Sequence, residues 1–517
     1  MRSIYLKSIA IFLVMAIPFM LTAQTEQDME AVQKLDKKLT EMTKKWETPG
    51  MTVAIFKGDS ILLSKGYGIR NIESNKEVNE HTIFPVASIT KTFTASAIGT
   101  LVDQGKLDWN DQVQQYLPWF KLYSPYVSEN MTIRDLLCHR SGLETFSGDL
   151  LWNATTYTTE EVVKKARYLE PKYGFREHYG YSNIMFITAG EVIEEVTGME
   201  YTEYIQKTFL DPLGMNRTLT SVSMFDQTDN VVTAHINHDG EMITIPFLNW
   251  DNIGAAGILN SSVSDMTQWI QLQLNQGTLD GKEYFSKEVS HEMWQVNTPQ
   301  SVSQGSKRIW PSTKFKGYGL GFGIYNYQGR KVVGHGGGYD GILSYFGLVP
   351  EEDLGFIILT NSGSMLYYAT RYVILDEFLN PDEAKNWSDF MLNYHKRRQQ
   401  NEREKEQALL DKKDPTLEPS RKLEAYTGTY SGEMYGDAEV TLTEEGKLHI
   451  QLVPSPKYYS TLEHLRHNTF IIRLEEFPRF PAGTVQFVLD KFGEPTELKI
   501  EIPNPDFYFE ELKFLKQ

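Results

Sequence analysis

Ser88 and Lys91 stand three residues apart in the stretch VASITKTFTASAIG, residues 86–99. Residues at i and i+3 of a helix share a face, so the hydroxyl and the amine point the same way. An apolar setting disfavours the charged form of a lysine and lowers its pKa. A neutral amine beside a serine can take the hydroxyl proton and leave a nucleophilic oxygen. Taken alone, the spacing is equally that of an ordinary helix with a surface lysine.

Two further constellations carry chemistry. Tyr181-Ser182-Asn183, in EHYGYSNIMF, precedes a helical pattern. A tyrosine there can relay protons, and an asparagine can bind an amide; a turn with a helix cap reads the same way. GHGGGYDG places His335 at the end of a strand, followed by Gly336, Gly337 and Gly338. Glycines let a substrate lie close to the strand edge, where a backbone N–H can face an oxyanion. The alternative is a glycine-rich hairpin with an incidental histidine. Cys138 is the one cysteine, which excludes an intramolecular disulfide; it reads as a small core residue. HEMWQ lacks the second histidine of a zinc helix, and no Gly-x-Ser-x-Gly elbow occurs. No metal or cofactor is expected.

These residues need elements to position them. Ile89, Phe93, Ala97 and Leu101 recur with helical period, and Gly105 gives a stop. MTVAIFKGDSILLSKGYG (51–68) reads as two strands about a Lys57-Gly58-Asp59 turn. Residues 110–275 are mostly helical and loop-rich, with FITAGEVIEEVTGM (186–199) an amphipathic helix ending at Gly198. Strands return near residue 330: KVVGHGGGYDG, YFGLVP, then GFIILTN after a Glu351-Glu352-Asp353 turn. The expected class is α+β: one antiparallel sheet assembled from both ends of the region, flanked by helices, with a helical subdomain inserted.

The whole chain has 517 residues, too many for one compact core. Arg2 and Lys7 precede an apolar run from Ile9 to Leu21, then Thr22 and Ala23. This is the pattern of a secretory signal peptide over residues 1–23, so an exported, periplasmic or secreted protein is expected, with no membrane span in its mature form. The region that carries these constellations spans 24–380, a charged helical linker 381–420, and a β-rich domain of alternating apolar runs 421–517. The net charge of −17 argues against a nucleic-acid partner. Oligomeric state has no signature in the sequence.

The ordered set Ser-x-x-Lys, Tyr-x-Asn and His-Gly-Gly resembles the penicillin-recognising serine hydrolases: class C β-lactamases, low-molecular-weight penicillin-binding proteins, D-aminopeptidases and related esterases. TIRDLLCHRSGL (132–143), DPLGMNRT (211–218), GAAGILNSSVSDM (254–266) and YGLGFGIY (318–325) agree with it. The tail from YTGTYSG (426–432) resembles the lipocalin-like β domain often appended to these hydrolases. The resemblance implies a β-lactamase/transpeptidase-like fold and makes Ser88 the nucleophile. Lys91 and Tyr181 share the acid–base work, with the division between them open, and Asn183 holds the substrate amide or the lysine. The backbone N–H groups of Ser88 and Gly338 form the oxyanion hole. His335 stands where the family usually has lysine. A histidine is mostly neutral at neutral pH, so the expected substrate is an ester or amide of a small molecule or short peptide, one with a D-residue included, and penicillinase activity is expected to be weak. The alternatives are a β-lactamase or DD-peptidase proper, and a non-catalytic penicillin-binding-like or cell-wall-binding protein.

Overall fold

The computed structural model describes residues 26–517; the apolar run and cleavage site assigned to a signal peptide lie outside the described residues. A helix over residues 26–45 (α1) leads into the first two strands, Gly50–Lys57 (β1) and Ser60–Gly68 (β2). The chain then leaves the sheet for the helical region. This region holds Thr90–Asp103 (α2), Asn183–Thr197 (α3) and Val263–Leu274 (α4). It returns as Thr298–Gln300 (β3), Lys316–Tyr318 (β4), Gly323–Tyr327 (β5), Arg330–Tyr339 (β6), Ile342–Val349 (β7) and Leu354–Thr360 (β8). These eight strands form one antiparallel sheet in the order β2-β1-β8-β7-β6-β5-β4-β3. The two ends of the region meet in the β1–β8 pair, with Val53 opposite Ile358.

Period-two alternation decides which side chains serve which face. Met51, Val53, Ile55, Phe356 and Ile358 pack against α1 and Leu366–Leu379 (α5). Ala54, Phe56, Ile357 and Leu359 point the other way, into the core shared with the helical region. Both faces are covered, so β1 and β8 read as continuous apolar runs. Helix α2 lies inside that second core. Its residues Thr90 to Leu101 are all buried, where the periodic stripe had suggested one buried face.

Within the segment read as a charged helical linker, Trp387–Leu410 forms a helix (α6). Its charged middle and C-terminal half are exposed, but its start is anchored. The Trp387 indole donates to Asp376 Oδ2 at 2.6 Å and packs near Trp310 and Tyr372. Beyond it, nine strands between Gly428 and Lys516 form a second, wholly antiparallel sheet that curls into a nearly closed barrel. Tyr426, Tyr430, Phe470 and Phe487 fill its interior, with ring centroids 4.7–5.8 Å apart. The barrel packs on the helical region through a continuous apolar cluster that includes Trp152 and Phe507. Among the described residues no helix is long and apolar enough to cross a membrane.

Candidate active site

Ser88 sits in a short 3-10 turn, Ala87–Ile89, at the entrance to α2. Ala87 holds φ of +47°, a left-handed conformation that costs a non-glycine residue about 1 kcal/mol. The turn keeps it because its surroundings fix it on three sides. Val86 N–H donates to Leu259 O at 3.0 Å, and the Ser344 hydroxyl of β7 donates to Val86 O at 3.1 Å. Strand β6 closes the third side. A Cβ on Gly337 would lie 2.1 Å from Val86 O, so only glycine lets the strand approach the Ser88 turn this closely.

This contact explains a difference from the sequence reading. His335 is not at the end of its strand; β6 continues through the three glycines to Tyr339, opposite Ile342 of β7. All three glycines are extended strand residues, and close packing against Val86 requires glycine at Gly337. On its other side β6 pairs with β5 only as far as Gly334. The edge from His335 to Tyr339 is therefore free of a strand partner and lines the cleft.

Lys91 follows one helical turn after Ser88 and is fully buried. Its Nζ lies 3.0 Å from Ser88 Oγ, 2.7 Å from Asn183 Oδ1 and 2.7 Å from Ala256 O. Burial holds this amine well below the ordinary lysine range, against the pull of Asp149. With two carbonyl oxygens taking two N–H groups of a neutral amine, its lone pair is left for the serine proton. Asn183, the first residue of α3, also donates from Nδ2 to Asp149 Oδ2 at 2.6 Å. Burial pushes the Asp149 carboxyl up to about 8, opposed by its hydrogen bonds and by Lys91.

Tyr181 stands beside Ser88, and burial holds its phenol well above the usual range. Its ring centroid lies 4.9 Å from Lys91 Nζ. The ring is wedged between Phe146 at 5.4 Å and His139 at 4.2 Å. His139 Nδ1 accepts the Ser182 N–H at 3.1 Å, which fixes the Tyr181-Ser182-Asn183 turn. The His335 ring lies 6.2 Å from that of Tyr181. Its Nδ1–H donates to Gly336 O at 2.6 Å, which leaves Nε2 to accept from the Tyr318 hydroxyl at 2.7 Å. Burial, with Lys91 nearby, lowers its pKa to about 3. His335 is thus a neutral wall of the site with both nitrogens already paired.

The structure therefore brings Ser88, Lys91, Tyr181, Asn183 and the strand from His335 to Gly338 to one place. Cys138 is buried apart from the cleft chemistry, its thiol pushed up to about 11. Sequence reasoning missed Asp149, which comes from an irregular segment with no periodic or motif signal, and it did not single out Ala256 within the quoted GAAGILNSSVSDM stretch. His139 carried one weak signal, a histidine inside the quoted TIRDLLCHRSGL stretch. The cleft in front of Ser88 has a volume of about 1150 Å³. One wall is Trp310, Tyr368 and Arg371, whose guanidinium lies among four tyrosine rings 4.1–5.5 Å away. Arg371 is a cation in the cleft that the sequence reading did not locate. Another wall comes from α6 and the barrel domain, including Arg398, Arg479 and Asp506.

Residues 35–376 match the family described as Beta-lactamase. The chain belongs to that family. Residues 412–516 match a domain of unknown function, DUF3471. Among curated relatives, the β-lactamase-family chain is 27% identical over 438 residues to an unguisins hydrolase of Aspergillus campestris, covering 80% of this chain and 79% of that one. It is 27% identical over 343 residues to Protein flp of Staphylococcus aureus, covering 65% and 64%. Its fold is similar to the octameric penicillin-binding protein homologue from Pyrococcus abyssi, with a TM-score of 0.60, 25% identity and coverage of 94% and 100%. A D-stereospecific amidohydrolase from a Streptomyces species shares the fold at TM-score 0.54 and 24% identity, covering 68% and 98%. Family and relatives agree with the site: the protein is a β-lactamase-fold hydrolase.

Proposed function

We propose that this hydrolase is exported and works through an acyl-enzyme on an ester or amide bond of a small molecule or short peptide, peptides with a D-residue included. The observation that carries the reading is the 3.0 Å contact between Lys91 Nζ and Ser88 Oγ in a buried, fully hydrogen-bonded setting. Lys91 takes the hydroxyl proton as Oγ bonds to the scissile carbonyl carbon. The backbone N–H groups of Ser88 and Gly338 hold the oxyanion. The C–N or C–O bond then breaks, and the protonated lysine returns its proton, through Ser88's partner Tyr181, to the leaving group. Water enters near Tyr181, gives up a proton to the same pair and cleaves the acyl ester, which regenerates Ser88. The cleft, at about 1150 Å³, exceeds the ~300–1,000 Å³ of common small-molecule pockets and has room for several peptide residues. The neutral His335 supports the expectation of weak penicillinase activity. Export rests on the residue pattern of positions 1–23.

The test is labelling with a biotinylated fluorophosphonate, followed by peptide mapping and a turnover screen against p-nitrophenyl esters, D- and L-amino-acid anilides and nitrocefin. The reading requires a single adduct on Ser88 and turnover of esters or anilides above that of nitrocefin. An unlabelled, folded protein would mean a non-catalytic relative.

A further inference from the structure

The barrel domain touches the loop that carries Asp149 at several points. Glu511 of the barrel accepts from the Ser147 hydroxyl at 2.6 Å through Oε1 and from the Gly148 N–H at 2.8 Å through Oε2. At the far end of the loop, the Tyr458 hydroxyl donates to Asn153 Oδ1, and Thr156 N–H donates to Pro454 O at 2.9 Å. Phe507 packs on Trp152 with ring centroids 5.9 Å apart. Between these grips lies Asp149, whose Oδ2 meets Asn183, which in turn meets Lys91.

The loop needs such support. Phe146 and Ala154 take φ of +66° and +54°, and Gly148 takes +79°. Left-handed residues persist only where the surroundings determine them. Helical hydrogen bonding cannot do it here, because the loop has a single 3-10 turn, Asp149–Leu151. The Glu511 carboxyl, accepting two adjacent donors, adds a restraint from the barrel to the turn's own bond from the Phe146 N–H to Tyr181 O at 2.7 Å. Glu511 is half-buried beside the loop, and burial, with the charges of Glu510 and Glu144, pushes its carboxyl up.

We propose that Glu511 is a positioning residue for the hydrolase site: the barrel domain clamps residues 147–153 so that Asp149 holds Asn183, and Asn183 holds Lys91, in line with Ser88. This rests on the reading of Ser88 and Lys91 as nucleophile and base. It gives the appended domain a role in the catalytic geometry without a catalytic group of its own. Loosening the loop lets water reach Lys91, and relief of its desolvation raises the lysine's pKa.

The experiment uses the full chain and measures the second-order rate of fluorophosphonate labelling of Ser88 from pH 5 to 10, with a thermal melt for each variant. The wild type is measured first; if it is not labelled, the functional reading fails and this proposal with it. Given labelling, Glu511→Ala is expected to slow the reaction at least tenfold and move the pH midpoint to higher pH, and Ser147→Ala, which removes one of the two contacts, to do the same more weakly. Lys513→Ala, which breaks an exposed barrel-to-hydrolase ion pair with Glu170, is expected to match the wild type. In an Asp149→Ala background, Glu511→Ala is expected to add less than threefold, because a residue acting through Asp149 has nothing left to position. A folded Glu511→Ala protein with wild-type rate and midpoint overturns the proposal, as does a full additional loss in the Asp149→Ala background. If Glu511→Ala does not fold, Ser147→Ala decides: an unchanged rate and midpoint overturn the clamp.

Discussion

Lys91 Nζ lies 3.0 Å from Ser88 Oγ, and two carbonyl oxygens on other segments, Asn183 Oδ1 and Ala256 O, fix it there at 2.7 Å each. The helix sets the spacing of the pair. The two carbonyls decide which way the amine's lone pair points.

Ser88→Ala is expected to abolish fluorophosphonate labelling and lower turnover by about 10³ or more, since loss of a serine nucleophile removes the covalent route. The melt should stay at the wild-type temperature. More than a tenth of wild-type turnover would assign the nucleophile elsewhere.

Lys91 is fully buried, so Lys91→Arg confounds lost chemistry with overpacking. Lys91→Met keeps the volume and removes the base. It should be as inactive as Ser88→Ala while melting at or above the wild-type temperature, because no amine remains to be desolvated. The folded pKa of Lys91 is depressed below the ordinary 10.5. Between those two values the unfolded chain binds the extra proton, so wild-type stability gains with rising pH through that window. Lys91→Met should lose that part of the slope, measured by melts at pH 6, 8 and 10.

The acid limb of kcat/KM is expected to follow the protonation of Lys91, with no inflection from His335 between pH 5 and 8, because burial lowers its pKa to about 3. His335→Asn should lower the rate while leaving the midpoint within about 0.3 units. A limb that disappears in this variant would make the histidine a titrating catalytic group.

Tyr181→Phe keeps the packing on His139 and Phe146 and removes only the hydroxyl beside Ser88. A proton-transfer role corresponds to a kcat loss of about 10²–10⁴, with KM changed less than threefold. A loss confined to KM would make the hydroxyl a binding group.

Adjacent glycines should respond differently. A Cβ at Gly337 would lie 2.1 Å from Val86 O and 2.4 Å from Ser344 Oγ, whereas one at Gly338 meets nothing nearer than Leu343 Cδ2 at 3.6 Å. Gly337→Ala should cost about 1–3 kcal/mol of stability and most of the activity by pushing β6 off the nucleophile's turn. Gly338→Ala should melt near the wild type. Equal melts for the two variants would contradict the packing described for β6.

The sequence by itself determined the local relations. Ser88 and Lys91 share a helical turn because i and i+3 are neighbours in any α-helix, and Tyr181 and Asn183 lie at the entrance to α3. The apolar runs of β1 and β8, lying at the two ends of the hydrolase region and bounded by turns, marked a sheet built from both of them. What the tertiary structure alone decided are the relations between segments that have no common period. Asp149, Ala256 and Glu511 come from irregular backbone, where no repeat links a residue to its neighbours in space. The need for glycine at Gly337 depends on Val86, some 250 residues earlier in the chain. The neutrality of His335 depends on Tyr318 and on burial. Propensity and spacing act over a few residues, whereas desolvation and close approach are properties of the packed interior, and these set the proton affinities at Ser88.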